Sequence, residues 1–368
     1  MRGPLLIALV SSCSVFTSLD DLHSATVDGG ADVSGDSGCS PNLDEDPNNC
    51  GRCDHSCLGG TCTGGVCDPI VLASGQPNAF GLAVGGGYVY WSAYNAGAIK
   101  RCPVTGCGAS PQTIAQISGS LTMGLVIDSK NAYFSAKVAS NVTLGTVYSV
   151  PLDGSAQPAQ LATNLDHPVW LGIDTSSVYW SNWGDGRIMS CPLGSSCPSP
   201  TTIHTQPGGP NAGPNGIAST GTAVYWVSDD GSARRCSIGS CATPVVYATG
   251  LSSPQAITVD VINAYWTNQV GSTVQKCQLS GCNNSPTLVA SNEAGAEGIA
   301  VDATGIYWTD ATGGLVRMCP AAGCGSGPVT LASGLVQPAN VVLDADAVYV
   351  TVYGTPGNGD GSVIKIPK

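Results

Sequence analysis

The sequence predicts an all-β fold: a seven-bladed β-propeller closed by an N-terminal fourth strand and preceded by a small disulfide-rich module. Three observations carry this reading. First, an aromatic pair recurs at Tyr90-Trp91, Tyr133-Phe134, Tyr179-Trp180, Tyr225-Trp226, Tyr265-Trp266 and Tyr307-Trp308, and Tyr349-Val350 completes the series. Successive tyrosines lie 43, 46, 46, 40, 42 and 42 residues apart, a period typical of propeller blades or solenoid repeats. Second, the apolar runs inside each period are short, β-branched and aromatic, with Gly, Pro, Ser and Asn between them and no sustained helical period. Third, the ends match. Residues 69–74 (PIVLAS) repeat the last run of the sixth unit, residues 328–333 (PVTLAS), while the seventh unit stops after three runs at residues 362–366. An N-terminal strand that completes the last blade removes the open edges that would otherwise pair with other chains.

The elements follow in chain order. Residues 1–13 read as a signal peptide: Met1-Arg2 is a minimal basic start, residues 4–10 are a short apolar run, and Val10-Ser11-Ser12-Cys13 resembles a bacterial lipobox. Cys13 is then the lipid attachment residue, the alternative being an ordinary cleaved signal or a misassigned start. Residues 14–38, rich in Ser, Asp and Gly, read as a flexible acidic linker. Residues 39–67 hold six cysteines (Cys39, Cys50, Cys53, Cys57, Cys62 and Cys67), and the even count in a short glycine-rich stretch points to disulfides. Two alternatives stay open there: zinc at Cys50-x2-Cys53 with His55, and calcium at Asp44-x-Asp46-x-Asn48.

Residues 68–368 form the propeller. The sixth unit shows its plan most clearly, with strands expected at residues 298–302, 305–309, 315–318 and 328–332. Adjacent residues of a strand face opposite ways, so each Tyr and Trp should pack between neighbouring blades. Ten of the 17 cysteines form close pairs between the third and fourth strands: Cys102/Cys107, Cys191/Cys197, Cys236/Cys241, Cys277/Cys282 and Cys319/Cys324. A disulfide in each would stabilise its hairpin by about 2 kcal/mol. The second unit has Asp153-Gly154 instead, a tight-turn dipeptide. The seventh has no such hairpin, because its fourth strand comes from the other end of the chain.

The net charge of −12 lies mostly before the propeller: residues 1–68 carry ten acids and two bases, leaving 15 acids and 11 bases for the rest. No basic surface emerges, so nucleic acid is not an expected partner. Arg101, Arg187, Arg235, Lys276 and Arg317 recur on third strands and read as a solvated blade position. Beyond the signal region no apolar stretch could span a bilayer, so membrane contact is expected through the lipid anchor only.

Tyr-Trp-Thr-Asp at residues 307–310, followed by Gly314-x-Val316-Arg317, resembles the YWTD repeats of lipoprotein-receptor propellers and is similar to bacterial NHL-like propellers. The likeness covers residues 69–368, although only the sixth unit carries the full motif. Receptor propellers of that family have six blades where this chain counts seven. The resemblance implies a propeller with a binding role and names no ligand. With its cysteine pairs and lipobox, the chain also looks like an envelope lipoprotein of large-genome bacteria such as myxobacteria. The localisation expected is export, to the outer membrane or cell surface as a lipoprotein, or to the periplasm or medium.

Propeller chemistry sits at the channel and the rim formed by the fourth-to-first and second-to-third loops. Only His167 among the four histidines falls in such a loop, and no Ser-His-Asp or Cys-His arrangement is readable. Streptogramin-lyase-like propellers need a histidine with acid and metal partners, and lactonase-like ones need a carboxylate-amide cage that Asn215, Glu297 and Asn340 imitate in part. Aromatic breaks in the pattern favour binding instead. Trp170 enters the first strand of the third unit, and Trp183, Tyr94 and Tyr353 share one slot after the second strand. With Gln255 beside them, the expected binding residues are Tyr94, Trp170, Trp183, Asn215, Gln255, Glu297, Asn340 and Tyr353. They would form a non-enzymatic site for a protein, peptide or carbohydrate, with no cofactor and no metal. The alternative is a metal-dependent hydrolase or lyase at the channel mouth.

Overall fold

Alternation along the second strands decides the architecture. The computed structural model describes residues 42–194, 196–206, 213–321, 323–325 and 327–368; the expected signal peptide, Cys13, the linker and Cys39 lie outside them. Seven four-stranded antiparallel sheets follow one another in sequence order. Their first strands are Ala79–Gly85, Ser120–Ile127, Pro168–Ile173, Pro214–Ser219, Pro254–Val259, Ala296–Val301 and Pro338–Leu343. Each first strand packs beside those of the blades before and after it, and the seventh returns to the first. The ring therefore closes around an inner wall of first strands. Among the described residues the only helical piece is a 3-10 turn, Tyr94–Ala96, on the rim of blade one.

The last blade is built as the matching ends imply. Its own strands are Pro338–Leu343, Ala347–Val352 and Ser362–Pro367, and Ile70–Ala73 adds the fourth, with Ile70 opposite Lys365 and Val71 opposite Ile364. Blade six runs Ala296–Val301, Gly305–Asp310, Leu315–Pro320 and Val329–Ala332, within two residues of expectation at each end.

The core is seven separate interfaces between blades. Each joins the tyrosine of one blade to the second member of the next blade's pair: Tyr90 with Phe134, Tyr133 with Trp180, Tyr179 with Trp226, Tyr225 with Trp266, Tyr265 with Trp308. Tyr307 meets Val350, and Tyr349 meets Trp91 to seal the ring. All five tryptophans of the beat are fully buried. The residue after them pins the blades together. Ser92 Oγ accepts from Gly81 N and donates to Met123 O of the next blade. Ser135, Thr267, Thr309 and Thr351 repeat this bridge, the last of them reaching Phe80 O across the closure. Such close approach explains the glycines at this level of the first strands. A Cβ on Gly81, Gly124, Gly216 or Gly298 would collide with a carbonyl oxygen of the following blade.

Four of the five hairpin cysteine pairs are disulfides: Cys102–Cys107, Cys236–Cys241, Cys277–Cys282 and Cys319–Cys324. The fifth expectation is corrected. Cys191 and Cys197 are buried side by side as free thiols, and burial pushes the Cys191 thiol upward. Their spacing is six residues where the bonded pairs have five, so the loop of blade three is one residue longer. In blade two the turn at Asp153-Gly154 serves as expected: Gly154 takes φ 71° and Asp153 Oδ1 accepts from Ser155 N.

The basic residues of the third strands also need correction, for they do not share one solvated position. Arg101, Arg235 and Lys276 lie opposite Tyr90, Tyr225 and Tyr265 in the ladder, whereas Arg317 lies opposite Trp308 and Arg187 opposite Asn182. All are half-buried. Arg101 donates to Leu152 O of blade two, Arg317 pairs with the buried Glu293 at 3.5 Å, and Arg187 pairs with Asp185.

The cysteine-rich segment precedes Ile70–Ala73, the latch strand of the ring. Cys50–Cys62 and Cys57–Cys67 are disulfides, and Cys53 is disulfide-bonded as well. Those bonds use the thiols that the zinc alternative requires. His55 instead places Nδ1 2.5 Å from Cys50 O. In the calcium alternative, Asp46 accepts from Asn48 N and Asn49 Nδ2. Disulfides of this density belong to proteins of an oxidising compartment, extracellular or periplasmic. Among the described residues no helix is long and apolar enough to cross a membrane.

Candidate functional site

Where each second strand gives way to the rim, the repeat supplies one comparable position per blade. Counted four residues beyond the tyrosine, the slot holds Tyr94, Lys137, Trp183, Asp229, Gln269, Ala311 and Tyr353 in blades one to seven. A repeated frame thus presents six kinds of side chain at seven positions, which is how a propeller builds specificity on a rigid base. The second-to-third loops and the fourth-to-first loops supply the rest of the rim.

Two groups of the expected residues come together. Around blades five to seven an open recess of about 620 Å³ is lined by Phe80, Gln269, Glu297, Thr312, Gln337 and Tyr353, among others. Tyr353 is close enough to Tyr94 and Glu297 for their charges to affect it; burial, then those neighbours, raises its hydroxyl above the usual range. Glu297 sits half-buried where the inner wall has displaced the surrounding water, and this desolvation pushes its carboxyl up to about 7. Phe80 connects the recess to the other side of the mouth, its ring centroid 6.3 Å from Tyr94 and 5.4 Å from Trp170.

The second group spans blades two to four. Lys137 Nζ lies 2.6 Å from His167 Nε2. The His167 ring meets Trp183 edge-on at 5.1 Å. Trp183 Nε1 donates to Asp229 Oδ2 at 2.6 Å, and Asn215 Nδ2 donates to Asp229 Oδ1 at 2.5 Å. Burial, then the charge of Lys137, lowers the His167 imidazole to about 4, so at neutral pH it is uncharged. Burial also lowers the Lys137 ammonium.

Trp170 stands where four other blades carry glycine, with Ala256 and Asn340 in the remaining two of this alignment outside blade three. Its ring packs against the interface of Ile217 and Trp226 and also reaches past blade two to Phe80. It is half-buried, both packed and part of the aromatic wall.

The rest of the expected set does not converge. Gln255 donates to the nearby Ser253 Oγ at 3.1 Å. Asn340 Oδ1 accepts from Val341 N, and Asn215 donates to Pro254 O as well as Asp229. Both asparagines are thus engaged with the protein itself. Sequence reasoning missed Phe80, Lys137, Asp229 and Gln269. Lys137, Asp229 and Gln269 were within reach, since they fill the slot already recognised for Tyr94, Trp183 and Tyr353.

The opposite face is less bare than the stapled hairpins imply. A recess of about 850 Å³ there is lined by Thr220, Tyr225, Arg235, Asp260, Val261 and Asp302, among others, and Val261 is 92% exposed. Tyr225 is the one aromatic ring in its lining, and no amide side chain joins the charged groups there.

No protein-family model and no curated sequence matches the chain. Solved structures resemble it in shape. Virginiamycin B lyase from Staphylococcus aureus superposes with a TM-score of 0.63 at 11% identity, covering 80% of this chain and 96% of that one. The WD40 β-propeller domain of Doa1 gives 0.61 at 13% identity, covering 82% and 97%. A chain of the nidogen/laminin complex gives 0.51 at 14% identity, covering 64% and 89%. At these identities the likeness shows the propeller fold, which enzymes and protein-binding modules share.

Proposed function

We propose that this chain is a non-enzymatic binding propeller of the bacterial envelope. It takes a protein, peptide or carbohydrate on the rim that carries Tyr94, Trp170, Trp183, Glu297 and Tyr353. The observation behind this reading is the recess of about 620 Å³, in which Phe80 and Tyr353 face amides and one carboxyl. Concave sites with an apolar wall and a few converging polar groups are the usual ligand sites. Export follows from the disulfides, and attachment through lipidated Cys13 gives an outer-membrane or cell-surface protein, the soluble periplasmic or secreted form being its variant.

A glycan and peptide array probed with the purified protein tests the reading. Binders should lose affinity when Tyr353 or Trp183 is replaced by alanine, since truncating a central aromatic costs about 2 kcal/mol or more. Tyr353→Ala should do so with little change in thermal midpoint. Binders unaffected by either change would move the site away from this rim.

A metal-dependent hydrolase or lyase at the channel mouth is the second reading. Glu297 supports it, because a carboxyl pushed up to about 7 is suited to proton transfer. Virginiamycin B lyase shares the fold, and one of its solved forms holds quinupristin. Turnover of quinupristin in the presence of magnesium, lost in Glu297→Gln, would favour this reading over binding.

A further inference from the structure

Lys137 is the rim residue that the fold does not explain. It is the last residue but one of the second strand of blade two and is 7% exposed. Other lysines have evident structural partners: Lys365, equally buried, donates to Val104 O across the ring closure, Lys100 donates to Gln76, and Lys368 pairs with Asp302. Lys137 has only the imidazole of His167 and the face of Tyr94, whose centroid lies 5.9 Å from Nζ. Among the described residues no carboxylate forms an ion pair with it. A buried ammonium without an acid is a destabilising arrangement. The same slot is alanine in blade six, so the frame does not require a cation there.

The surroundings narrow the ligand. One ammonium beside a neutral imidazole matches a single negative charge, not a phosphate dianion. Tyr94, Phe80 and Trp170 form a continuous aromatic wall next to it. Such a wall suits the C–H face of a pyranose ring, and the amides across the recess suit its hydroxyls. A peptide C-terminus is usually captured by a run of free backbone N–H groups. Here the backbone amides of Tyr94, Ala139 and Trp183 are already bonded, to Asn78 O, Gly119 O and His167 O. Glu297 on the far side opposes a ligand with charge along its whole length.

We propose that Lys137, with His167 and Tyr94, is an anchoring subsite for the carboxylate of an acidic saccharide whose ring lies on Phe80 and Trp170. This rests on the upper rim being the binding site. The ligand carboxylate completes the pairing that the apoprotein leaves open, so binding relieves a cost already built into the fold.

The test uses calorimetric titration with neutral oligosaccharides that end in a single galacturonic, glucuronic or mannuronic acid, each beside its carboxyl-reduced counterpart. At least one acid should bind, with its reduced form weaker by about tenfold or more, as for loss of one buried charge pair. Lys137→Met should lose that difference. Its ligand-free thermal midpoint should equal or exceed the wild type, because methionine replaces a buried charge with an apolar chain of similar shape. A destabilised Lys137→Met that still binds the acid would make the lysine structural and overturn the proposal. Equal binding of acid and reduced forms, still lost in Tyr353→Ala, would overturn the carboxylate subsite while leaving the rim reading in place. Lys137-dependent binding of acidic peptides with no saccharide bound would overturn the ligand class. If neither saccharides nor peptides bind at this rim, the subsite and the rim reading fall together.

Discussion

Single carboxylates at the ends of first strands hold more of this fold than their sequence pattern reveals. Asp174 Oδ1 accepts from the amides of Ser176 and Ser177, and its Oδ2 accepts from the hydroxyls of Tyr179 and Ser219. Asp128, Asp260 and Asp344 repeat the link to the tyrosine five residues on. Burial raises the Asp174 carboxyl, but the bonds from Tyr179 and the turn prevail, so its net position is below the ordinary range. A depressed carboxylate adds stability above its unfolded value and loses it as pH falls through the folded one. Asp174→Ala should therefore cost about 2–3 kcal/mol near neutrality in urea unfolding, and less in acid. Glu297 has the opposite sign. Its raised carboxyl gives stability that is complete below about 4.3, the unfolded value, and is lost as pH rises through about 7. Glu297→Gln should remove that loss; a thermal midpoint that still falls between pH 5 and 8 by the wild-type amount would assign it to another group.

At the scale of the element, the blade is held to its neighbour by the hydroxyl after each aromatic pair. Ser181 is a partial case, returning to Trp170 O of its own blade, and blade four has none because Val227 fills the position. Gly216 and Gln255 O lie against each other there, as the corresponding groups do where a hydroxyl bridges them. Val227→Thr should therefore raise stability by about 1 kcal/mol, measured by urea unfolding. Thr309→Val should lower it by about 1–3 kcal/mol by stranding Gly298 N and Ala339 O. The strands themselves were legible, since alternation and turn residues act locally. The hydroxyl bridge was not, because its acceptor lies about one repeat away in sequence. The basic residues were misread for a related reason: their ladder partners depend on register, and a shared strand number does not fix a shared environment.

For the whole molecule, seven interfaces of one kind make stability a property of the ring. Burial, chiefly, pushes the hydroxyls of Tyr133 and Tyr265 up to about 12 and raises that of Tyr349 further. Stability from these groups is complete below about 10, the unfolded value, and is lost as pH rises through the folded one. Alkaline unfolding should accordingly be cooperative, with tyrosinate absorbance and loss of β-sheet signal rising together. Blade number and closure could be read from the sequence because the repeat and the matching ends are covalent facts. The convergence of Phe80, Tyr94 and Trp170 could not, because blades one and three meet only through the curvature of the assembled ring.

The latch strand has a consequence for the history of each molecule. Ile70–Ala73 emerges from the ribosome before any blade, yet its partner Ser362–Pro367 belongs to the seventh and last of them. Its hydrogen-bonding edge must wait through the synthesis of the six blades between and most of the seventh. Contacts between such distant segments form slowly, and an unpaired strand is an invitation to association in the meantime. Four residues, one of them a half-exposed valine, keep that waiting edge short. The ring is thus completed by its oldest strand, and a chain cut short at its C-terminus would carry an unmatched strand at its start as well as an open blade at its end.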